Sequence, residues 1–423
     1  MENNLQLKSI GKIGMDKKML VGYIGVLFFM IGDGLEQGWL SPYLTEQGLT
    51  VQNVATLLSI YGLAVAFASW LSGVLAEIYG PRKMMICGLS LFVAGTLTFL
   101  IIGIPTGNLA VMIPTYALRG LGYPLFAYSF LVWITYYAPK ERLGTAVGWF
   151  WVAFAGGLNM VGAYYSSFAL PILGEMLTLW SALVFTTIGA LFGILLCKPV
   201  IANDNSADKK SLKQILKGIT IAFERPKVGL GGIVRMINTS GAYGLVVFLP
   251  AYMMSAGFTM AQWLQIYGAL WASNVVFNLI WGAVADRIGW RETIMWIGGI
   301  GCAVFMASLY YVPHFFGANY LIMNLVAIGF GACLAAYVPL SALIPSLAPE
   351  NRGAAMSILN LGAGLSSFAG PAIAGALIGG IGVVGVIWTY VCMHLISTVL
   401  MIFVKLPEKN AQESDQLDLA PEV

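Results

Sequence analysis

The stretch Gly73-Val-Leu-Ala-Glu77-Ile-Tyr-Gly80-Pro-Arg82-Lys83 returns as Gly282-Ala-Val-Ala-Asp286-Arg-Ile-Gly289-Trp-Arg291, a shift of 209 positions (73 to 282) in a chain of 423 residues. Gly, Ala, acid, Gly and Arg keep register at 73/282, 76/285, 77/286, 80/289 and 82/291. A second echo pairs Pro139 and Arg142 with Pro349 and Arg352. The chain therefore reads as two halves on one plan, each with the same short charged turn between apolar stretches.

The composition says what surrounds that turn. Fifty-nine per cent of residues are apolar and 10% are charged, against roughly 25% charged in soluble domains. Apolar runs of about 20 residues, each long enough to cross a bilayer, recur throughout. In lipid the backbone must satisfy its own hydrogen bonds, so these runs are helices. Twelve are expected: 18–41, 53–76, 84–104, 109–135, 144–167 and 176–197, then 229–254, 262–284, 293–313, 320–345, 353–377 and 382–404. The expectation is an all-α integral membrane protein of two pseudo-symmetric six-helix bundles, 18–197 and 229–404. A polar central loop at 198–228 joins them, and tails at 1–17 and 405–423 flank them.

Every Lys and Arg except Arg119 and Arg235 falls on one side of such a twelve-helix count. By the positive-inside rule that side is cytoplasmic, and both termini lie there. The net charge of +3 then sets topology beside anionic headgroups and needs no nucleic-acid partner. Cys87, Cys197, Cys302, Cys333 and Cys392 lack paired metal-ligand spacing, and His314 and His394 are far apart, so no metal or other cofactor is expected. No phosphate-loop motif occurs, so ATP does not drive this chain. An intramembrane enzyme needs a metal cluster or a Ser/His pair inside the helices, and neither is present.

Two six-helix halves related along the membrane normal are a transporter plan, with the substrate bound between them near mid-membrane. In the duplicated turn, Gly73 and Gly282 are expected to let helices approach closely. Glu77 and Asp286 are expected to cap a helix or to pair with Arg82, Arg287 or Arg291. A pair made on only one side of the membrane forms in one state and breaks in the other, and so acts as a gate. A topology-setting turn with a static ion pair is the plainer alternative.

This turn resembles the signature of the major facilitator superfamily between helices 2 and 3. Ile78 departs from it where the family usually has a basic residue, which Arg287 keeps in the second copy. A closer resemblance is to bacterial polyol permeases for ribitol and D-arabinitol, a family that also includes an α-ketoglutarate permease. It is carried by Gly32-Asp-Gly-Leu-Glu36, Arg119-Gly-Leu-Gly-Tyr-Pro-Leu-Phe-Ala-Tyr-Ser-Phe130, Gly148-Trp-Phe-Trp151, Gly174-Glu-Met-Leu-Thr-Leu-Trp180, Val234-Arg-Met-Ile-Asn-Thr239, Trp263-Leu-Gln265 and Gly353-Ala-Ala-Met-Ser-Ile-Leu-Asn-Leu361. The resemblance implies a monomeric secondary transporter in the bacterial inner membrane, with helices 1, 4, 7 and 10 lining the cavity.

Charges at mid-bilayer cost at least ~2.5–3.5 kcal/mol and invite a functional reading. Asp33 and Glu36 share a face of helix 1, and Arg119 on helix 4 lies at a similar depth, so the three are expected to meet. Two close carboxylates do not both ionise easily, and one is expected to carry a coupling proton while Arg119 holds the other. The alternative is a purely structural ion pair. Arg235 on helix 7 either snorkels to the cytoplasmic face or enters the cavity. Paired with Glu36, it leaves a neutral cavity that suits a polyol; standing free, it favours an acid. For substrate contacts the candidates are Trp39, Tyr116, Tyr123, Tyr128, Arg235, Asn238, Asn324 and Tyr337, with Asn274 and Asn278 as second choices. The leading expectation is proton symport of a pentitol, and the alternatives are a small organic acid or another sugar.

Overall fold

A computed structural model describes residues 17–138, 143–197 and 220–405. Lys140, Arg142, most of the central loop and both tails lie outside the described residues. Nine helical stretches are long and apolar enough to cross a bilayer among the described residues. Two of them, of 52 and 50 residues, hold one glycine each with positive φ, Gly174 (φ 74°) and Gly382 (φ 65°), and so divide into two spans apiece. With the shorter apolar helix Met19–Gly34 the spans number twelve, and no strand occurs among the described residues.

We label the spans α1 to α12. In the first half, α1 is Lys17–Gly34 followed by Leu40–Glu46, α2 is Val51–Tyr79, and α3 runs from Pro81–Thr98 through a π-helical turn at Phe99–Gly103. Leu109–Tyr137 is α4. The span α5 begins with Leu143–Ala155, passes through Gly156–Val161, and ends where Gly174 breaks Gly162–Ala190; α6 continues to Leu196. In the second half, α7 is Pro226–Ser255, α8 is Met260–Ile288, and α9 runs from Trp290–Glu292 through Thr293–Gly301 to Cys302–Phe316. The span α10 is Tyr320–Ala335 followed by Leu340–Ser346, and Gly382 divides Arg352–Phe403 into α11 and α12. The second half starts earlier than the polarity of 198–228 implied, because 220–224 is already helical and Ile221 is buried.

Small residues set how closely the helices pack, as they must where lipid supplies no hydrophobic drive. On α3 and α4, Gly88 and Gly122 face each other: a Cβ on Gly122 would stand 2.7 Å from the Gly88 carbonyl oxygen and 2.6 Å from the Phe92 backbone nitrogen. Between α8 and α10 a polar ladder adds to this. Ser273, Asn274 and Trp281 donate to the carbonyls of Ile328, Gly331 and Ala332 at 2.7, 3.3 and 2.8 Å. Asn274 is therefore an interhelical tie in this fold, and Asn278 donates to the Asn274 side chain one turn back on the same helix (3.2 Å).

The two halves meet at the end remote from the termini, here called distal. Trp263 Nε1 on α8 donates to the Gly38 carbonyl (2.8 Å), and Ser41 Oγ on α1 donates to the Val247 carbonyl of α7 (2.6 Å). On α2 and α11, Ser367 Oγ reaches the Gly62 carbonyl at 3.3 Å, and Gly364 packs on Ala66. At the proximal end the expected close approach is absent. Neither Gly73 nor Gly282 has a heavy atom within 4 Å of where a Cβ would stand.

The α3–α4 contact leads to a stability prediction. Gly122→Val forces two backbones apart, and overpacking of this kind costs about 1–3 kcal/mol. Thermal unfolding in detergent is expected to fall by several degrees, whereas the same change at the uncrowded Gly148 is expected to leave the midpoint unmoved.

Candidate functional site

The site starts from a break in α1. The helix stops at Gly34, where a Cβ would run into the backbone of Leu158 on α5. The chain then makes tight turns, with Gln37 N–H donating to the Gly34 carbonyl (3.0 Å) and Trp39 N–H to the Glu36 carbonyl (3.3 Å). Gly38 takes φ 94°, which a side chain would resist. A broken helix leaves carbonyls without helical partners, and these need donors when buried. Leu35 receives Trp39 Nε1 (2.6 Å) and the Ser166 hydroxyl, and Gly32 and Asp33 receive Arg119 Nη2 at 3.3 and 3.2 Å. A guanidinium at the C-terminal end of a half-helix also meets the negative pole of its dipole.

Asp33, Glu36 and Arg119 come together as their depths implied, each at most 2% exposed. They are not equivalent. Glu36 is fully engaged: Tyr116 donates to Oε1 and Arg119 Nη1 to Oε2. Asp33 accepts from Tyr61 at Oδ1 (2.6 Å) and stands 3.7 Å from Arg119 Nη2, while its Oδ2 is buried without a hydrogen-bond partner. Arg119 also lies over the Phe92 ring, 4.8 Å from its centroid, and beside Tyr116 at 5.7 Å, a favourable cation–π setting.

Arg235 occupies the other half. It sits nine residues into α7 from Pro226, about 14 Å along the axis at the usual helical rise, and pairs with no carboxylate among the described residues. With its amide oriented to satisfy both neighbours, Asn238 accepts from Arg235 Nη1 (2.8 Å) and donates to the Leu334 carbonyl of α10 (3.2 Å). Arg235 interacts electrostatically with Tyr243 on α7 and with Tyr128 on α4 of the opposite half. Tyr123 interacts in turn with Tyr128, Tyr243 and Asp33. Tyr123, Tyr128 and Tyr243 thus lie within electrostatic reach of one another and of the two charged centres.

Several candidates lie elsewhere. Tyr337 turns into its own half. It is fully buried inside the second half, where its hydroxyl meets Ser397 (2.7 Å) and His394 (3.3 Å) of α12. Trp39 is spent on the α1 break and packs on Tyr43, and Tyr116 belongs to the ion cluster. Asn324 donates to the Tyr320 carbonyl of its own helix (2.9 Å). Helical spacing tells which residues share a face but not what that face meets, and that is why these differ. In the second copy of the turn, Asp286 accepts from Trp290 Nε1 (2.8 Å), and Arg291 pairs with Glu292 (2.9 Å) instead of Asp286. Arg82 and Arg287 are exposed, and the side chain of Glu77 lies outside the described residues.

Two residues of the site escape sequence reasoning. Tyr61 lies on α2, outside the four helices expected to line the cavity, and carries no charge to flag it. Tyr243 had a usable signal: it falls eight residues after Arg235, on the same face of α7.

The unequal carboxylates predict unequal variants. Glu36→Gln breaks the directly hydrogen-bonded buried pair and leaves Arg119 only its longer contact to Asp33, a loss of about 3–5 kcal/mol read as a large drop in the detergent unfolding midpoint. Asp33→Asn is expected to cost far less, and Tyr61→Phe about 1 kcal/mol for one hydrogen bond. Equal losses from Glu36→Gln and Asp33→Asn would contradict the asymmetry.

Comparison with known proteins agrees with this architecture. The chain matches the model of the Major Facilitator Superfamily over residues 22–350 and 272–421. It is 48% identical to a Bacillus subtilis protein named α-ketoglutarate permease over 401 residues, covering 95% of this chain and 92% of that one. It is 35% identical to the ribitol transporter of Klebsiella pneumoniae, covering 95% of each. Among solved structures, a nucleoside transporter superposes with a TM-score of 0.74 at 15% identity, covering 92% of this chain and all of that one, a likeness of fold alone. These relatives are transporters and not enzymes. The chain is a multi-pass membrane transporter of the Major Facilitator Superfamily.

Proposed function

We propose that this transporter imports a small organic acid together with a proton by alternating access. One observation carries the acid reading: Arg235 lies inside a membrane span and pairs with no carboxylate among the described residues. An unpaired guanidinium at that depth is costly without a bound anion, and its planar fork fits a carboxylate. The 48% identical relative named α-ketoglutarate permease supports the same class. A pentitol is the second reading, favoured by the neutral hydroxyls of Tyr123 and Tyr128 and by the relative named ribitol transporter.

The proton role falls to Asp33. Glu36 has both oxygens committed to donors, which suits a permanent anion, whereas Asp33 keeps a buried oxygen without a partner. The basic residues make the proximal end cytoplasmic, in a bacterial inner membrane. The contact between halves at the distal end, with Gly73 and Gly282 uncrowded at the other, then corresponds to an inward-facing state. In it the second copy of the gate is not paired as Asp286 with Arg291. The protein works as a monomer.

In proteoliposomes with an inward proton gradient, uptake of α-ketoglutarate is expected to rise as the outside pH falls. Asp33→Asn is expected to abolish uphill accumulation and the accompanying proton uptake, and Arg235→Gln to lower acid uptake at least about tenfold, the weight of a charge-assisted hydrogen bond or two. Accumulation and proton uptake that both survive Asp33→Asn would exclude Asp33 as the carrier.

A further inference from the structure

We infer that the preferred substrate is a polyhydroxylated monocarboxylate, of the aldonate type, with five or six carbons. The inference rests on the carboxylate reading of Arg235 and narrows it. Among the described residues, four side chains with full charges lie deep in the spans: Asp33, Glu36, Arg119 and Arg235. Glu36 and Arg119 cancel one another through a direct hydrogen bond. When Asp33 carries the proton, one positive charge is left, on Arg235. One carboxylate balances it. A second carboxylate would stand in the cavity without a counter-charge, at a penalty of at least about tenfold in binding.

The remaining groups say what the rest of the molecule carries. The hydroxyls of Tyr123 and Tyr243 donate to no described residue, and both tyrosines interact electrostatically with one another. Each phenol is donor and acceptor at once. A plain aliphatic acid would leave them unmatched when the cavity closes, and an unmatched buried polar group is penalised. Substrate hydroxyls match them. Arg235 and Tyr243 start about 12 Å apart along α7 at the helical rise and interact electrostatically, a separation that the two side chains with a five- or six-carbon ligand between them can bridge. A carboxylate at one end and hydroxyls along the rest fit that lining.

The test compares counterflow of gluconate, sorbitol and α-ketoglutarate into proteoliposomes of the wild-type protein. Gluconate and sorbitol share a carbon chain and differ at the terminal carboxylate, so the pair isolates Arg235's contribution. Gluconate is expected to exchange at least about tenfold faster than either of the others at equal concentration. In Arg235→Gln the gluconate-to-sorbitol ratio is expected to collapse toward one, and in Arg235→Lys to survive in part; thermal-shift titration of both variants with gluconate shows whether each is folded. Faster exchange of α-ketoglutarate would overturn the monocarboxylate inference while leaving the acid reading intact. Sorbitol exchanging as well as gluconate would overturn both.

Discussion

A single buried guanidinium organises the first half of this protein. Arg119 must find acceptors for its donors without help from water, because lipid and packed helices surround it. It finds them on α1, in the Glu36 carboxylate and the carbonyls of Gly32 and Asp33. Those carbonyls are available only because α1 stops at Gly34, so the ion cluster and the helix break require each other. An unbroken α1 would leave Arg119 short of acceptors, and a neutral residue at 119 would leave the freed carbonyls short of donors.

The same break reaches the contact between the halves. Gly38, at its end, offers the carbonyl taken by Trp263, and Ser41 just beyond it donates to Val247. Tyr61 makes a parallel link on α2. Its hydroxyl holds Asp33, and the next residue, Gly62, meets Ser367 of α11. A change of charge at Asp33 therefore lies one side chain away from a helix that also forms the inter-half contact. No long relay is needed for one to bias the other.

Much of this was legible in the sequence, for reasons that mark where it stops being so. The twelve spans follow from apolar length and from the one-sided placement of basic residues. The meeting of Asp33, Glu36 and Arg119 follows from equal depth on two helices. What those residues touch does not, because helical periodicity names a face and leaves its neighbour open. Tyr337 shares the expected helix yet faces α12, and Gly73 shares a turn motif yet meets nothing in this state. The break at 35–39 had only Gly34 and Gly38 to announce it, and glycines are scattered through every span. Arg235 stands out in the sequence as the deciding residue, but its lack of a carboxylate partner among the described residues is a fact of three dimensions.

Duplication gave the two halves the same outline and then different irregularities. In the first half α1 is broken and α4 is continuous; in the second, α7 is continuous and α10 is interrupted between Ala335 and Leu340. At the repeat shift, Asp33 and Glu36 fall opposite Ala242 and Leu245, both buried and apolar. Among the described residues no carboxylate of the second half pairs with Arg235, whereas Arg119 in the first half has two within reach. A guanidinium with no carboxylate partner among the described residues in one half, and a carboxylate oxygen without a hydrogen-bond partner in the other, are complementary. On the proposed function, an anion and a proton entering together would satisfy both, and either one alone would leave a charge uncompensated in the membrane interior.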